Sequence, residues 1–141
     1  MRLRIIAAAT MILVATAALA DDMENVPPVT HPATKKECGE CHMAFQPALL
    51  PAQSWSRIMG DLTNHFGENA SLSADIAADI NAYLTSHAGR GDGRLLRITE
   101  QRWWLHEHNF RPEVWARPNV RSKANCEACH RDAAKGIYED D

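Results

Sequence analysis

The chain has 141 residues, and its 18 acidic residues outnumber its 15 basic residues to give a formal net charge of −3. This length allows one small domain or two very small lobes. An acidic total argues against a nucleic-acid partner.

Residues 1–20 have the pattern of a secretory signal peptide. Two arginines precede an apolar run at 5–14, and small residues surround Leu19 before a cleavage site after Ala20. An uncleaved membrane anchor is the alternative, but the apolar run is short for a bilayer span of about 20 residues. We therefore predict an exported protein without stable membrane insertion.

The charge of the mature chain is unevenly distributed. Residues 21–87 include nine acidic and three basic residues, whereas residues 88–131 include nine basic and five acidic residues. Residues 132–141 are acidic again. These opposite charges favour a charged protein partner.

The first half of the mature chain predicts an extended lead-in and then a helix. Residues 21–33 are polar and contain several prolines, which indicates an extended segment. Helical spacing predicts a helix over 52–67 that Gly67 ends. Its apolar face would hold Trp55, Ile58, Met59, Leu62 and Phe66, with His65 beside them.

A second helix is predicted within 71–89, with Ser71 or Ser73 as its N-cap. Its apolar side would hold Ile76, Ile80, Tyr83 and Leu84. The glycine-rich stretch "GRGDGR" that follows is the best linker candidate, because the charge balance also changes sign there. We place the boundary between two lobes there, with an N-terminal lobe at 21–90 and a C-terminal lobe at 91–141.

The C-terminal lobe predicts one short helix beginning after Thr99 and unable to continue far past Pro112. An irregular connection at 111–122 should follow, and then a last helix that begins near the second motif and fades into the acidic tail. The chain lacks a strand pattern of any length. The predicted fold is therefore mainly α, with two small helical lobes and long loops.

All four cysteines belong to two C-x-x-C-H motifs. In such a motif, two cysteines form thioether bonds to one edge of a c-type haem, and the adjacent histidine binds the iron. The residues concerned are Cys38, Cys41 and His42, and then Cys126, Cys129 and His130. We predict two covalently attached haems, each forming the centre of one lobe because lobes this small bury little apolar surface alone.

Zinc binding and thiol redox chemistry are the alternative interpretations of paired cysteines. Neither explains why both pairs are followed by histidine, and a redox pair is typical of a βαβ context that the sequence lacks. The aromatic residues around the motifs are predicted to pack against haem or core.

Five histidines remain for the second axial position of each iron: His31, His65, His87, His106 and His108. In the N-terminal lobe we favour His65, on the predicted apolar helix face, over His87 near a helix end, with His31 third. In the C-terminal lobe we favour His108 over His106, because His108 shares a face with Trp104. For the haem of the N-terminal lobe, Met59 is the alternative soft ligand.

The stretches "KKECGECHMAFQPALLPAQSWSRIMGDLTNHFGENASL", "WWLHEHNF" and "NCEACH" resemble the small soluble dihaem cytochrome c family of proteobacteria. This resemblance implies a periplasmic electron carrier with two bis-histidine haems and no substrate chemistry of its own. It matches His42 and His130 to the motif ligands, and His65 and His108 to the second ligands. It also implies a soluble haem protein as acceptor, such as an oxygen-binding monohaem cytochrome, and a b-type membrane cytochrome as donor.

Two other functions compete with an electron carrier. A small haem enzyme or sensor would keep one iron five-coordinate, but the chain has no spare segment for a substrate pocket. The electron-entry subunit of a periplasmic reductase is the other candidate. In such subunits the two motifs lie closer together than the 88 residues that separate Cys38 from Cys126 in this chain.

Overall fold

The structure is a computed structural model that describes residues 25–139, so the predicted signal peptide lies outside the described residues. Five α-helices are present in this part of the chain: α1 (Pro32–Cys38), α2 (Ala52–Met59), α3 (Ala74–Ser86), α4 (Arg102–Glu107) and α5 (Pro112–Trp115). Short 3₁₀ turns lie between the helices at Pro47–Leu49, Leu62–Asn64 and Ile98–Glu100, and after α5 at Cys126–Ala128 and Ala133–Lys135. Extended pairing within 25–139 is limited to isolated bridges. The mainly-α prediction is confirmed.

No helix within 25–139 has the length and apolar character that crossing a bilayer requires.

Helices α2 and α3 pack together and form the largest apolar cluster. Helix α3 follows Ser73, as predicted, and buries Ile80 and Leu84. Helix α2 contributes Trp55 and Ile58, and the Trp55 indole donates a hydrogen bond of 2.8 Å to the carbonyl of Pro47. This bond satisfies the polar atom of a buried aromatic ring, so the ring can serve as core.

The predicted helix over 52–67 was wrong in its second half, because α2 ends at Met59. Gly60 and Asp61 are poor helix formers, and the chain continues as a 3₁₀ turn instead. Phe66 and Gly67 then take positive φ angles of 54° and 101°, which reverse the chain direction. His65 therefore lies on a turn and not on a helix face.

Two predictions for the C-terminal part were also wrong. A one-turn helix, α5, replaces the irregular connection, because Pro112 stands at its first position, where a missing N–H costs nothing. The second motif forms 3₁₀ turns instead of a final helix. Gly136, with φ of 83°, ends the last of these turns in the left-handed conformation.

The predicted boundary at 90/91 stays a prediction, but several contacts cross it. The Ser54 hydroxyl donates a bond of 2.6 Å to the carbonyl of Leu95, and Leu96 and Ile98 pack against the α2–α3 cluster. Near the two limits of the described range, the Val26 amide donates to the carbonyl of Gly136 at 2.8 Å. The N-terminal lead-in and the segment after the second motif therefore lie side by side.

Candidate haem sites

The first histidine pair is His42 and His65, whose ring centroids lie 6.2 Å apart. Their planes are 20° from parallel. His42 follows Cys41 just beyond the end of α1, and His65 comes from the turn after α2. Two residues 23 positions apart in the sequence thus face each other.

The second pair is His108 and His130, with ring centroids 6.1 Å apart. Their planes are crossed at 74°. His108 stands directly after α4, and His130 closes the second motif.

Both spacings suit one metal ion between two imidazoles. A metal–nitrogen bond of about 2 Å puts opposite nitrogens about 4 Å apart, and ring centres, set back from those nitrogens, about 6 Å apart. The four positions around this axis are then left for a planar tetradentate group, which is what a porphyrin supplies. The residues present therefore fit a haem at each site.

One imidazole in each pair is oriented by a backbone carbonyl. The Nδ1 of His42 lies 2.7 Å from the carbonyl of Met43, and the Nδ1 of His108 lies 3.0 Å from the carbonyl of Trp104. A carbonyl only accepts, so Nδ1 carries the proton and Nε2 is left to bind metal.

The other two imidazoles, His65 and His130, have a buried Nδ1 without a hydrogen-bond partner among residues 25–139. Burial first, and then the nearby His42 and Arg97, lower the pKa of His65. This favours the neutral imidazole, which is the form that binds a metal.

A tight turn holds His65. The His65 amide donates to the carbonyl of Glu68 at 2.7 Å, and the Glu68 amide returns a bond of 3.1 Å to His65. The Phe66 ring stands edge-on to the imidazole at 4.9 Å, and the Arg97 guanidinium lies 4.2 Å from the centre of the Phe66 ring. Arg97 is a part of this site that the sequence did not indicate, because it lies far from His65 along the chain.

An aromatic stack holds His108. Its ring lies 4.2 Å from the Trp104 ring, only 4° from parallel, and Trp104 in turn contacts Trp115 at 5.5 Å. Trp104 is only 4% exposed. The predicted shared face of Trp104 and His108 is present, because four residues bring the end of α4 back over the same side.

A cavity of about 1070 Å³ adjoins the first pair. It is comparable with the largest small-molecule pockets, of about 1,000 Å³. Cys38, Cys41 and both histidines of the pair line it, and its wall continues to Cys126 of the second motif. Its apolar lining includes Phe45, Leu50, Trp55, Ile58, Met59, Leu62, Leu72, Leu84, Leu96, Ile98 and Trp104. This space has the size, lining and covalent anchors that a large apolar cofactor requires.

The cysteines do not have the surroundings of reactive thiols or zinc ligands. Burial raises the pKa of Cys38, and it raises the pKa of Cys126 to about 11. Low pKa values are typical of redox-active cysteines. Across residues 25–139, no three His, Cys, Asp or Glu side chains gather in a group able to hold a metal ion. The zinc interpretation therefore gains no support.

The remaining histidines are engaged elsewhere. His31 caps α1 through Thr34, and its Nε2 lies 3.2 Å from an Asp79 carboxylate oxygen. The Nδ1 of His87 lies 3.0 Å from the carbonyl of Tyr83, and the side chain of His106 is 86% exposed. The structure therefore brings His65 and His108, rather than these three, to the motif histidines.

Known proteins share this sequence and fold. A family model described as dihaem cytochrome c matches residues 34–138. The crystal structure of DHC purified from Rhodobacter sphaeroides is 44% identical, with 78% of this chain and 98% of that chain covered and a TM-score of 0.72. No curated protein matches the chain.

Two further solved structures are similar. A diheme cytochrome c from Rhodobacter sphaeroides is 40% identical, covering 79% of this chain and 99% of that chain with a TM-score of 0.71. The diheme cytochrome type c from Shewanella baltica OS155 is 40% identical, covering 77% of this chain and 86% of that chain with a TM-score of 0.69.

Proposed function

Because the chain belongs to the dihaem cytochrome c family, we propose that it is a periplasmic electron carrier whose two haems each have two histidine ligands. The observation that carries the proposal is the pairing of His42 with His65 and of His108 with His130 at 6.2 and 6.1 Å. A haem iron with both axial positions filled exchanges electrons without binding a substrate. The chain is then a carrier and not an enzyme.

The family has two c-type haems, and the two motifs supply the cysteines for their covalent attachment. Bound haem supplies an iron that alternates between the ferric and ferrous states. The protein's part is to hold the imidazoles in place and to surround the first site with apolar side chains. Such a lining limits water access and so influences the reduction potential.

Optical and electron paramagnetic resonance spectra of the native protein test the ligation. We expect only low-spin signals from both haems and no carbon monoxide binding after reduction. A high-spin fraction that binds carbon monoxide would contradict the proposal and favour a haem enzyme or sensor.

Export and cleavage after Ala20 belong to the same proposal, and the signal-peptide pattern of residues 1–20 supports them. The protein recovered from the periplasmic fraction should begin at Asp21 and carry the mass of two haems. A product that keeps residues 1–20 in the membrane fraction would contradict cleavage.

The proposed acceptor is a soluble haem protein with an acidic surface, such as an oxygen-binding monohaem cytochrome, and the proposed donor is a b-type membrane cytochrome. The basic charge of residues 88–131 supports an acidic acceptor. Of the arginines there, Arg94 already pairs with Asp92 and Arg97 lies over Phe66. Among the other exposed arginines of this range, we propose Arg102, Arg111, Arg117 and Arg121 for docking.

Electron-transfer rates to such an acceptor test the docking. The rate should fall steeply as salt shortens the screening length to below about 10 Å, and fall further when Arg111 and Arg117 are changed to glutamate. Changing Lys35 and Lys36 together to glutamate, on the acidic lobe, is the control with the same change in charge. If the electron-transfer rate changes neither with salt nor with these substitutions, the docking surface lies elsewhere.

A further inference from the structure

A buried polar link joins the two motif regions through Gln46 and Tyr138. The Gln46 side chain is fully buried. Its amide nitrogen donates to the carbonyl of Ala133 at 2.8 Å, and its amide oxygen accepts from the Tyr138 hydroxyl at 2.5 Å. These partners lie 87 and 92 residues away along the chain. We call this pair of bonds the Gln46–Tyr138 link.

The link ends close to the second site. The Tyr138 ring stands edge-on to the His130 ring, with centroids 5.6 Å apart and planes at 71°. Ala133 lies three residues beyond His130, and its amide donates to the His130 carbonyl at 3.0 Å. Gln46 therefore fixes both the backbone after His130 and the ring that contacts its imidazole.

The other end of the link reaches the first site. Gln46 follows Phe45, whose ring stacks on His42 with centroids 4.9 Å apart. The contacts thus run without interruption from His42 through Phe45, Gln46 and Tyr138 to His130. The C-terminal segment also passes very close to the N-terminal lead-in here. A Cβ on Gly136 would lie only 2.1 Å from the carbonyl oxygen of Val26, so the two backbones can approach this closely only because residue 136 is glycine.

His130 depends on such a contact more than its partner does. His108 is oriented by the bond to Trp104 and by the stack on that ring. The Nδ1 of His130 is buried and has no hydrogen-bond partner within 25–139, so Tyr138 packing is what restrains its rotation about χ2 on that side.

We propose that Gln46 and Tyr138 are positioning residues for the second haem: their link fixes the rotation of the His130 imidazole and so keeps it crossed with His108. The proposal rests on the proposed ligation of the second haem by these two histidines. A link of purely structural value would stabilise the C-terminal segment without acting on this angle.

The angle matters because imidazole π orbitals overlap iron d orbitals. Crossed planes spread this overlap over two d orbitals, whereas near-parallel planes direct it at one. Rotation of one ring therefore changes the splitting of these orbitals, which electron paramagnetic resonance of the ferric protein measures directly.

The test uses the holoprotein and the variants Tyr138→Phe and Gln46→Leu. Tyr138→Phe removes only the hydroxyl, and Gln46→Leu removes both hydrogen bonds at nearly constant volume. We expect the second-haem signal to shift away from the crossed type in Tyr138→Phe and further in Gln46→Leu, with its midpoint potential moving in parallel. The first-haem signal should stay unchanged.

Tyr83→Phe is the matched control, because the Tyr83 oxygen accepts a bond of 3.2 Å from the Thr30 amide and takes no part in the Gln46–Tyr138 link. It should leave both signals unchanged. If Tyr138→Phe lowers thermal stability but keeps the second-haem signal and potential of the native protein, the proposal is wrong. If Gln46→Leu does not fold, Tyr138→Phe alone decides. High-spin signals in the unmodified protein would instead refute the proposed ligation.

Discussion

The two histidine pairs have almost the same spacing, 6.2 and 6.1 Å, but their planes meet at 20° in the first pair and at 74° in the second. The motifs that begin the two sites are alike, whereas the segments that supply the second histidine of each pair are not. His65 comes from a bridge-closed turn, and His108 follows a helix and lies flat on Trp104.

Under the proposed ligation, this difference would give two electronically distinct haems from one attachment motif. The motif fixes a histidine next to each pair of anchoring cysteines, but the twist between the paired imidazoles is set by what packs on each ring. Phe45 and Phe66 flank the first pair, and Trp104 and Tyr138 flank the second. The following changes should break or sharpen the comparison.

Replacing one ligand should have the largest effect. His65→Met should raise the potential of the first haem by on the order of 0.1 V, because axial ligands span about 0.8 V and a thioether favours ferrous iron. Potentiometric titration should show the second haem unchanged. His87→Met is the control and should change neither potential. A potential that moves in His87→Met but not in His65→Met would overturn the ligand assignment.

His108→Met is the equivalent change at the second site, with His106→Met as its control. The second potential should rise and the first should stay. Since His106 is almost fully exposed, its replacement should leave the visible spectrum of the protein as it is. A spectrum altered by His106→Met alone would reverse the assignment at this site.

Removing a buried indole should have the next largest effect, and mainly at one site each time. Trp104→Ala should cost about 3–5 kcal/mol of stability and disturb the second haem most, since Trp104 is buried and stacks on His108. A smaller disturbance of the first haem should accompany it, because Trp104 also lines the cavity of the first pair. Trp55→Ala should cost a similar amount but disturb the first haem, whose cavity Trp55 lines. Thermal unfolding and ferric spectra measure both. Equal disturbance of both haems by either variant would mean that the sites are not independent.

The unmodified ferric protein should itself give two different low-spin signals. Near-parallel imidazoles at the first site should produce a rhombic signal, and crossed imidazoles at the second should produce a strongly anisotropic one. The rhombic signal should be the one that changes in His65→Met. Two identical signals, at low temperature and full oxidation, would contradict the difference in twist.

Neutralising Arg97 should have the smallest effect. Its guanidinium lies over Phe66 beside His65, where positive charge disfavours the more positive ferric state. Arg97→Gln should lower the first potential slightly, and less so at high salt because the side chain is about half exposed. Arg102→Gln, at an exposed position, is the charge-matched control. A drop of the same size in both variants would show only a general charge effect.

Much of the site follows from the sequence, because attachment of haem by C-x-x-C-H is a local requirement. Cys38, Cys41 and His42 need no distant partner to be identified, and neither do the three residues of the second motif. Helix α3 was also predictable, since Ile80 and Leu84 repeat at helical spacing and are buried. The placement of His65 on a helix was wrong, because apolar spacing continues past Met59 although Gly60 and Asp61 interrupt the helix.

The sequence by itself determined the number of haems, their anchors and a short list of candidates for the second ligand. Only the tertiary structure decided which histidines meet, at what angle, and that Arg97, Gln46 and Tyr138 stand beside them. The physical reason is that attachment depends on neighbours within one turn of chain, whereas ring orientation depends on packing between residues up to 92 positions apart. The spacing of residues in a sequence therefore identifies the haem attachment sites but does not determine the orientation of the imidazole rings.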